Sequence, residues 1–176
     1  VKAELGDLMV VYTAEQIAAR VRELARRISD DYRDRTLHAV CVLENGFVFM
    51  ADLVRAIEVP VVCHFLKPET RPRQHGAEIF YGEVSVQGQH VLLVEGVVKT
   101  GITQEFLIRN LSARGALSVK LATLLDKQED RRVALEADYW GYAIGASYVL
   151  GYGLGSPLLG RNLPYVAAKA PVAASG

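Results

Sequence analysis

The run Val91-Leu92-Leu93-Val94 constrains the fold most. Four consecutive aliphatic residues leave no polar face, so a strand through them must be covered on both sides, as the central strands of parallel sheets are. Parallel strands cannot be joined by tight turns and need crossovers, usually helical. The rest of the chain supplies those pieces. Thr13 can cap a helix with Gln16 as its capping-box partner, and Ile17, Val21, Leu24 and Ile28 recur at helical spacing as far as Asp31. Leu37 to Leu43 reads as a buried strand, Asn45-Gly46 breaks it, Phe47 to Ile57 is helical, and Val59 to Leu66 is a second strand.

Lys67 to Gly76 (KPETRPRQHG) has two prolines and no apolar periodicity, so it is expected to be a loop. Ala77 to Val86 suits a marginal strand or a hairpin arm. His90 to Glu95 is the buried strand, followed by a turn with Gly96 and Gly101. A helix from about Thr103 to Ala113 follows, stopped by Gly115. Ser118 to Leu125, Tyr139 to Ile144 and Tyr148 to Leu150 are further strands. The alternation predicts an α/β fold, an open and mostly parallel sheet flanked by helices. Residues 1–166 are expected to form one domain and residues 167–176, rich in Ala, Pro, Ser and Gly, a disordered tail.

Composition narrows the classes. Hydrophobic residues make up 51%, against intrinsic disorder, and 20 basic residues balance 20 acidic ones, which argues against nucleic-acid and membrane partners. No apolar run approaches the roughly 20 residues that span a bilayer. Val1 to Asp7 lacks the basic start and apolar stretch of a signal peptide. Cys41 and Cys63 are expected to be buried, reduced thiols of a cytoplasmic protein, although the sequence leaves their pairing open. The four histidines have no metal-ligand spacing and are read as structural or surface residues. Tyr139, Trp140 and Tyr142 suit the core better than an interface.

In open α/β sheets ligands bind beyond the carboxyl ends of the strands, here Glu44-Asn45-Gly46, the turn after Glu95 and the stretch after Leu125. The segment VLLVEGVVKTGIT runs from strand through turn to helix. Backbone N–H groups of Lys99, Thr100, Gly101, Ile102 and Thr103 can converge there on an anion, helped by the positive end of the helix.

This segment resembles the PRPP-binding motif of type I phosphoribosyltransferases. Val42 to Leu53 (VLENGFVFMADL) resembles the pyrophosphate loop of the hypoxanthine-guanine branch, and Leu124 to Arg132 (LLDKQEDRR) the strand end bearing its purine-reading lysine. Tyr148 to Arg161, with Asn162-Leu163-Pro164 after it, resembles the carboxyl-terminal purine site. The resemblance covers residues 8 to 166 and implies that fold, with a small hood formed by the terminal segments. It implies phosphate binding by Lys99 to Thr103, ribose binding by Glu95, and purine binding by Lys127, Tyr148 and Val149. It places Glu44, Asn45, Gly46, Arg131 and Arg161 near pyrophosphate. It also implies purine nucleotides or bases as ligands, PRPP as a co-substrate, Mg2+ if the transferase reaction survives, and assembly as a homodimer or homotetramer.

Several positions depart from the family. Gly96 stands at its second ribose-binding acid, and Lys99 at the aspartate proposed to share the purine N7 proton. Gly155 stands at a magnesium-binding aspartate, Glu44 at a lysine beside pyrophosphate, and Asn45 at a glycine. The Ser-Tyr pair of the family's flexible loop has no counterpart around Lys67 to Tyr81. A general base contributes typically 10²–10⁴ in rate, about 3–5 kcal/mol, so these changes argue against efficient classical catalysis. No catalytic residue or metal ligand is therefore assigned. The reversed charges suggest that Glu44 and Lys99 face each other across the cleft. Three functions compete: a homologue binding IMP or GMP with weak or absent transfer, an active purine-salvage transferase with rearranged chemistry, and a regulatory or interaction subunit.

Overall fold

The computed structural model describes residues 8–73, 76–80, 84–145, 148–155 and 160–169, with side chains excepted at 69–73, 76–80 and 169. Five strands form a wholly parallel sheet. They are β2 (Leu37–Val42), β3 (Val61–Leu66), β6 (His90–Val98), β7 (Ser118–Asp126) and β8 (Tyr139–Ala143), in the order β3-β2-β6-β7-β8. Val91, Leu92, Leu93 and Val94 are all fully buried, as a central strand covered on both faces requires.

The two faces are covered by different helices. α1 (Ala14–Asp31) and α2 (Phe47–Ala56) lie on one face, where Ile17, Val21, Leu24, Ile28, Phe49, Met50 and Leu53 pack on Ala39, Cys41, Leu92, Val94 and Leu124. α3 (Ile102–Ala113) covers the other, where Leu107 and Leu111 meet Val40, Val42, Val91, Leu93 and Leu121. α1 begins with the expected capping box: the Gln16 N–H donates to Thr13 Oγ1 and the Thr13 N–H to Gln16 Oε1. Its far end is tied to the sheet by Asp31, which accepts from Lys120 Nζ at 3.0 Å and from the Tyr139 hydroxyl.

The terminal segments meet in a three-stranded antiparallel sheet of β1 (Leu8–Tyr12), β10 (Val166–Lys169) and β9 (Val149–Leu150), in the order β1-β10-β9. β10 corrects the expectation of a tail fraying after Val166. Val166 and Ala167 are buried, and Ala167 and Ala168 are paired with β1 on one side and β9 on the other. Residues 170–176 of that tail lie outside the described residues.

Other expectations are corrected too. The segment read as a loop at 67–76 contains β4 (Glu69–Arg73), which pairs antiparallel with β5 (Gly76–Phe80). Cross-strand pairing outweighed the weak strand propensity of a proline-bearing segment. Gly96 lies inside β6 rather than in a turn, because the strand continues past Glu95 to Val98 against Leu125 and Asp126. Cys41 is buried but Cys63 is exposed on the edge strand β3, and both are free thiols. Tyr139 is buried, Tyr142 stacks on Tyr12, and Trp140 is partly exposed.

Leu53→Ala in the core should cost ~2–5 kcal/mol of unfolding free energy. Thr13→Ala should cost only about 1 kcal/mol, because it removes a cap and no buried volume. Urea denaturation of the two variants checks the ranking.

Candidate functional site

The sheet delivers three strand ends to one edge. After β2 come Leu43 to Gly46, with a cis peptide between Leu43 and Glu44. After β6 come Lys99 to Gly101, and after β7 comes Lys127, whose N–H donates to the Val98 carbonyl at 2.9 Å. The segment from Tyr148 to Gly155 and the one from Gly160 to Pro164 close over this edge, pinned where Tyr152 N–H donates to the Leu163 carbonyl and Gly153 N–H to that of Arg161.

A cleft of about 370 Å³ lies between them, lined by Asn45, Val97, Lys99, Lys127, Tyr148, Val149 and Gly155. Four separate stretches of sequence thus meet at one cleft. The Lys127 side chain is 6% exposed, with Nζ 3.9 Å from Asp130, whereas Tyr148 is 46% exposed. Gly155 has φ +99°, where an L side chain is strained, and a Cβ there would lie 2.8 Å from Leu150 Cβ.

A turn joins β6 to helix α3, which starts one residue earlier than predicted. Gly101, its N-cap, has φ +79°, so the turn depends on glycine. A Cβ there would press on Val133 and Arg131. Thr100 and Thr103 are half-buried beside it. Arg131 braces the turn, donating to the Lys99 carbonyl at 3.0 Å and to the Asp126 carboxylate. Ile102 is exposed at the first position of α3.

Glu95 departs from the role of an open ribose acceptor. Its side chain is buried and accepts a hydrogen bond from Gln104 Nε2 at 2.9 Å. Burial pushes its carboxyl up to about 8, against the pull of hydrogen bonds from Gln104 and the Gly96 N–H. Gly96 has no room for a side chain. A Cβ there would overlap the Asn45 carbonyl oxygen and come within 2.7 Å of Leu154 Cδ2. The loop after β2 thus rests directly on the backbone of β6.

The expected Glu44–Lys99 pair does not form within 4 Å. Glu44 accepts from Arg161 Nη1 at 2.7 Å and from Lys67 Nζ at 3.0 Å. Arg161, then Lys67, hold its carboxyl below the ordinary range. Lys99 Nζ lies 3.8 Å from Asp130 instead. Nearer opposite charges claimed both side chains. Magnesium finds little here. No cluster of three His, Cys, Asp or Glu among the described residues could hold a metal, and Asp126, Asp130 and Glu44 are engaged by cations. The residues do not fit a resident ion.

Comparison with known proteins agrees with this architecture. A model of the phosphoribosyl transferase domain matches residues 10–145. The hypoxanthine-guanine phosphoribosyltransferase of Mycobacterium avium is 36% identical over 182 residues, covering 94% of this chain and 88% of that protein. This chain belongs to the type I phosphoribosyltransferases, in their hypoxanthine-guanine branch. A crystal structure of a hypoxanthine-guanine phosphoribosyltransferase from Bacillus anthracis superposes with a TM-score of 0.84 at 32% identity, over 90% of this chain and 96% of that one. The bifunctional protein TilS/HprT of Listeria innocua is 34% identical, and there the match takes in 26% of the longer protein.

Sequence reasoning missed four participants. Lys67 had a signal, a lone lysine at the end of a third parallel strand. Asp130 had one too, standing three residues after Lys127. Gln104 and Asp126 had none, because their importance comes only from facing Glu95 and Arg131 across the fold.

Two outcomes are expected. Gly96→Ala should destabilise by ~1–3 kcal/mol, since the added carbon forces the backbone contact apart. Glu95 takes up its proton more tightly in the folded state than the ordinary value of 4.5 allows. The native state then binds more protons between about 4.5 and about 8, so stability is highest below that window, falls through it, and levels off above. Glu95→Gln should remove that fall, read as unfolding free energy against pH.

Proposed function

We propose that this chain binds a purine nucleotide of the IMP or GMP type, with classical PRPP-dependent transfer weak or absent. The observation that supports this most is the cleft itself, where Lys127, Tyr148 and Val149 line a space beside Lys99 and the phosphate turn. Lys127 Nζ is a nearly buried donor suited to a 6-oxo group, and Tyr148 offers a stacking face. The turn at Thr100 to Thr103 offers N–H donors at a helix start for a 5′-phosphate. A nucleoside monophosphate needs nothing more.

The transfer reaction would need more. A proton acceptor near the base is not provided by Lys99, whose ammonium lies beside Asp130. Carboxylates for ribose hydroxyls are wanting, with Glu95 buried and Gly96 covered by Asn45. Diphosphate would meet the negative charge of Glu44.

A second reading, an active purine phosphoribosyltransferase with rearranged chemistry, is favoured by the identity to hypoxanthine-guanine phosphoribosyltransferases over nearly the whole chain. Positioning and charge compensation alone can supply rate when a leaving group departs. Under this reading Mg2+ would arrive with PRPP.

Titration calorimetry with GMP and IMP tests the first reading. Saturable binding is expected, weakened at least ~10-fold by Lys127→Ala, equivalent to about 1.4 kcal/mol. Absence of heat at millimolar nucleotide would sink it. Radiolabelled PRPP with a panel of purine bases tests the second, which predicts labelled nucleotide from at least one base.

A further inference from the structure

The surroundings of Glu44 hold more than a surface ion pair. Arg161 and Lys67 approach its carboxylate separately, one on each oxygen. Arg161 comes from the segment after Gly160, and Lys67 from the end of β3. The guanidinium of Arg161 is largely buried. Its second terminal nitrogen makes only long contacts, 3.5 Å to Asn45 Oδ1 and 3.3 Å to the Gly155 carbonyl. Its Nε is buried without a hydrogen-bond partner among the described residues. A guanidinium fork is built to grip two oxygens of one anion, and a buried donor left unmatched is costly. Here the fork grips a single carboxylate oxygen. Two cations from separate segments thus converge on one carboxylate of the chain itself.

We propose that Glu44 is an internal counter-anion occupying a phosphoryl subsite made by Arg161 and Lys67, and that it restricts the cleft to ligands carrying one phosphate group. The inference rests on the nucleotide-binding reading. The single phosphate sits at the turn of Thr100 to Thr103, and a second phosphoryl group would have to displace Glu44. A free dianion meets repulsion from the carboxylate and finds its cations already neutralised. The subsite is thereby closed without losing its positive groups.

Inorganic pyrophosphate is the probe, titrated calorimetrically into wild type, Glu44→Gln, Glu44→Ala, the double variant Glu44→Gln/Arg161→Gln, and Glu23→Gln as a remote variant of equal net charge. Wild type is expected to bind pyrophosphate weakly. Glu44→Gln and Glu44→Ala should each bind it at least ~10-fold more tightly, about 1.4 kcal/mol. The gain should vanish in the double variant and be missing in Glu23→Gln. Equal affinity of wild type and both Glu44 variants overturns the proposal. So does a gain that survives loss of Arg161, or one matched by Glu23→Gln. Wild-type titration with GMP answers separately. If GMP fails while the Glu44 variants gain pyrophosphate, the nucleotide reading falls and the role of Glu44 as counter-anion stands.

Discussion

The parallel pairing of β2, β6 and β7 is the constraint on which the rest depends. β6 is hydrogen-bonded on both edges and covered on both faces, so it cannot shift without breaking two ladders and two layers of packing. Its direction forces three loops onto one edge of the sheet. Asn45 then lies against Gly96, Lys127 N–H reaches the Val98 carbonyl, and Arg131 reaches the Lys99 carbonyl. Each is a contact between the end of one strand and the backbone of its neighbour. The cleft is a consequence of sheet order before it is a matter of side chains.

Electrostatics decide what such a cleft accepts. Lys67, Lys99, Lys127, Arg131 and Arg161 all stand near the strand ends, as an anion-binding edge needs. Each faces an internal carboxylate: Glu44 for Lys67 and Arg161, Asp130 for the two cleft lysines, Asp126 for Arg131. The exposed pairs among them add little stability. Their effect is on ligands, because any anion that enters must compete with a carboxylate already in place. Asp130, 3.8 Å from Lys99 Nζ, is the clearest case.

Much of this was readable along the chain because it rests on local rules. The capping box at Thr13 and Gln16, the spacing of Ile17 to Ile28, and the aliphatic run at Val91 each reflect a period or a cap contained in a few neighbouring residues. What escaped is non-local. β4 and β5 form through one another, against the turn signals of their sequence. β10 is ordered because β1, from the opposite end of the chain, and β9 pair with it. Cys63 is exposed because β3 is an edge strand, and sheet order is not written in an apolar run.

The sequence by itself therefore determined the fold class and the strand-turn-helix that carries Lys99 to Thr103, since these are facts of residue type and spacing. Only the tertiary structure decided where the charges go. It turned Glu95 inward to Gln104, laid Asn45 over Gly96, and gave Glu44 to Arg161 and Lys67 rather than to Lys99. The physical reason is range. Charges pair with whatever opposite charge is nearest in space, and at a strand-end cleft the nearest groups come from segments far apart in the chain.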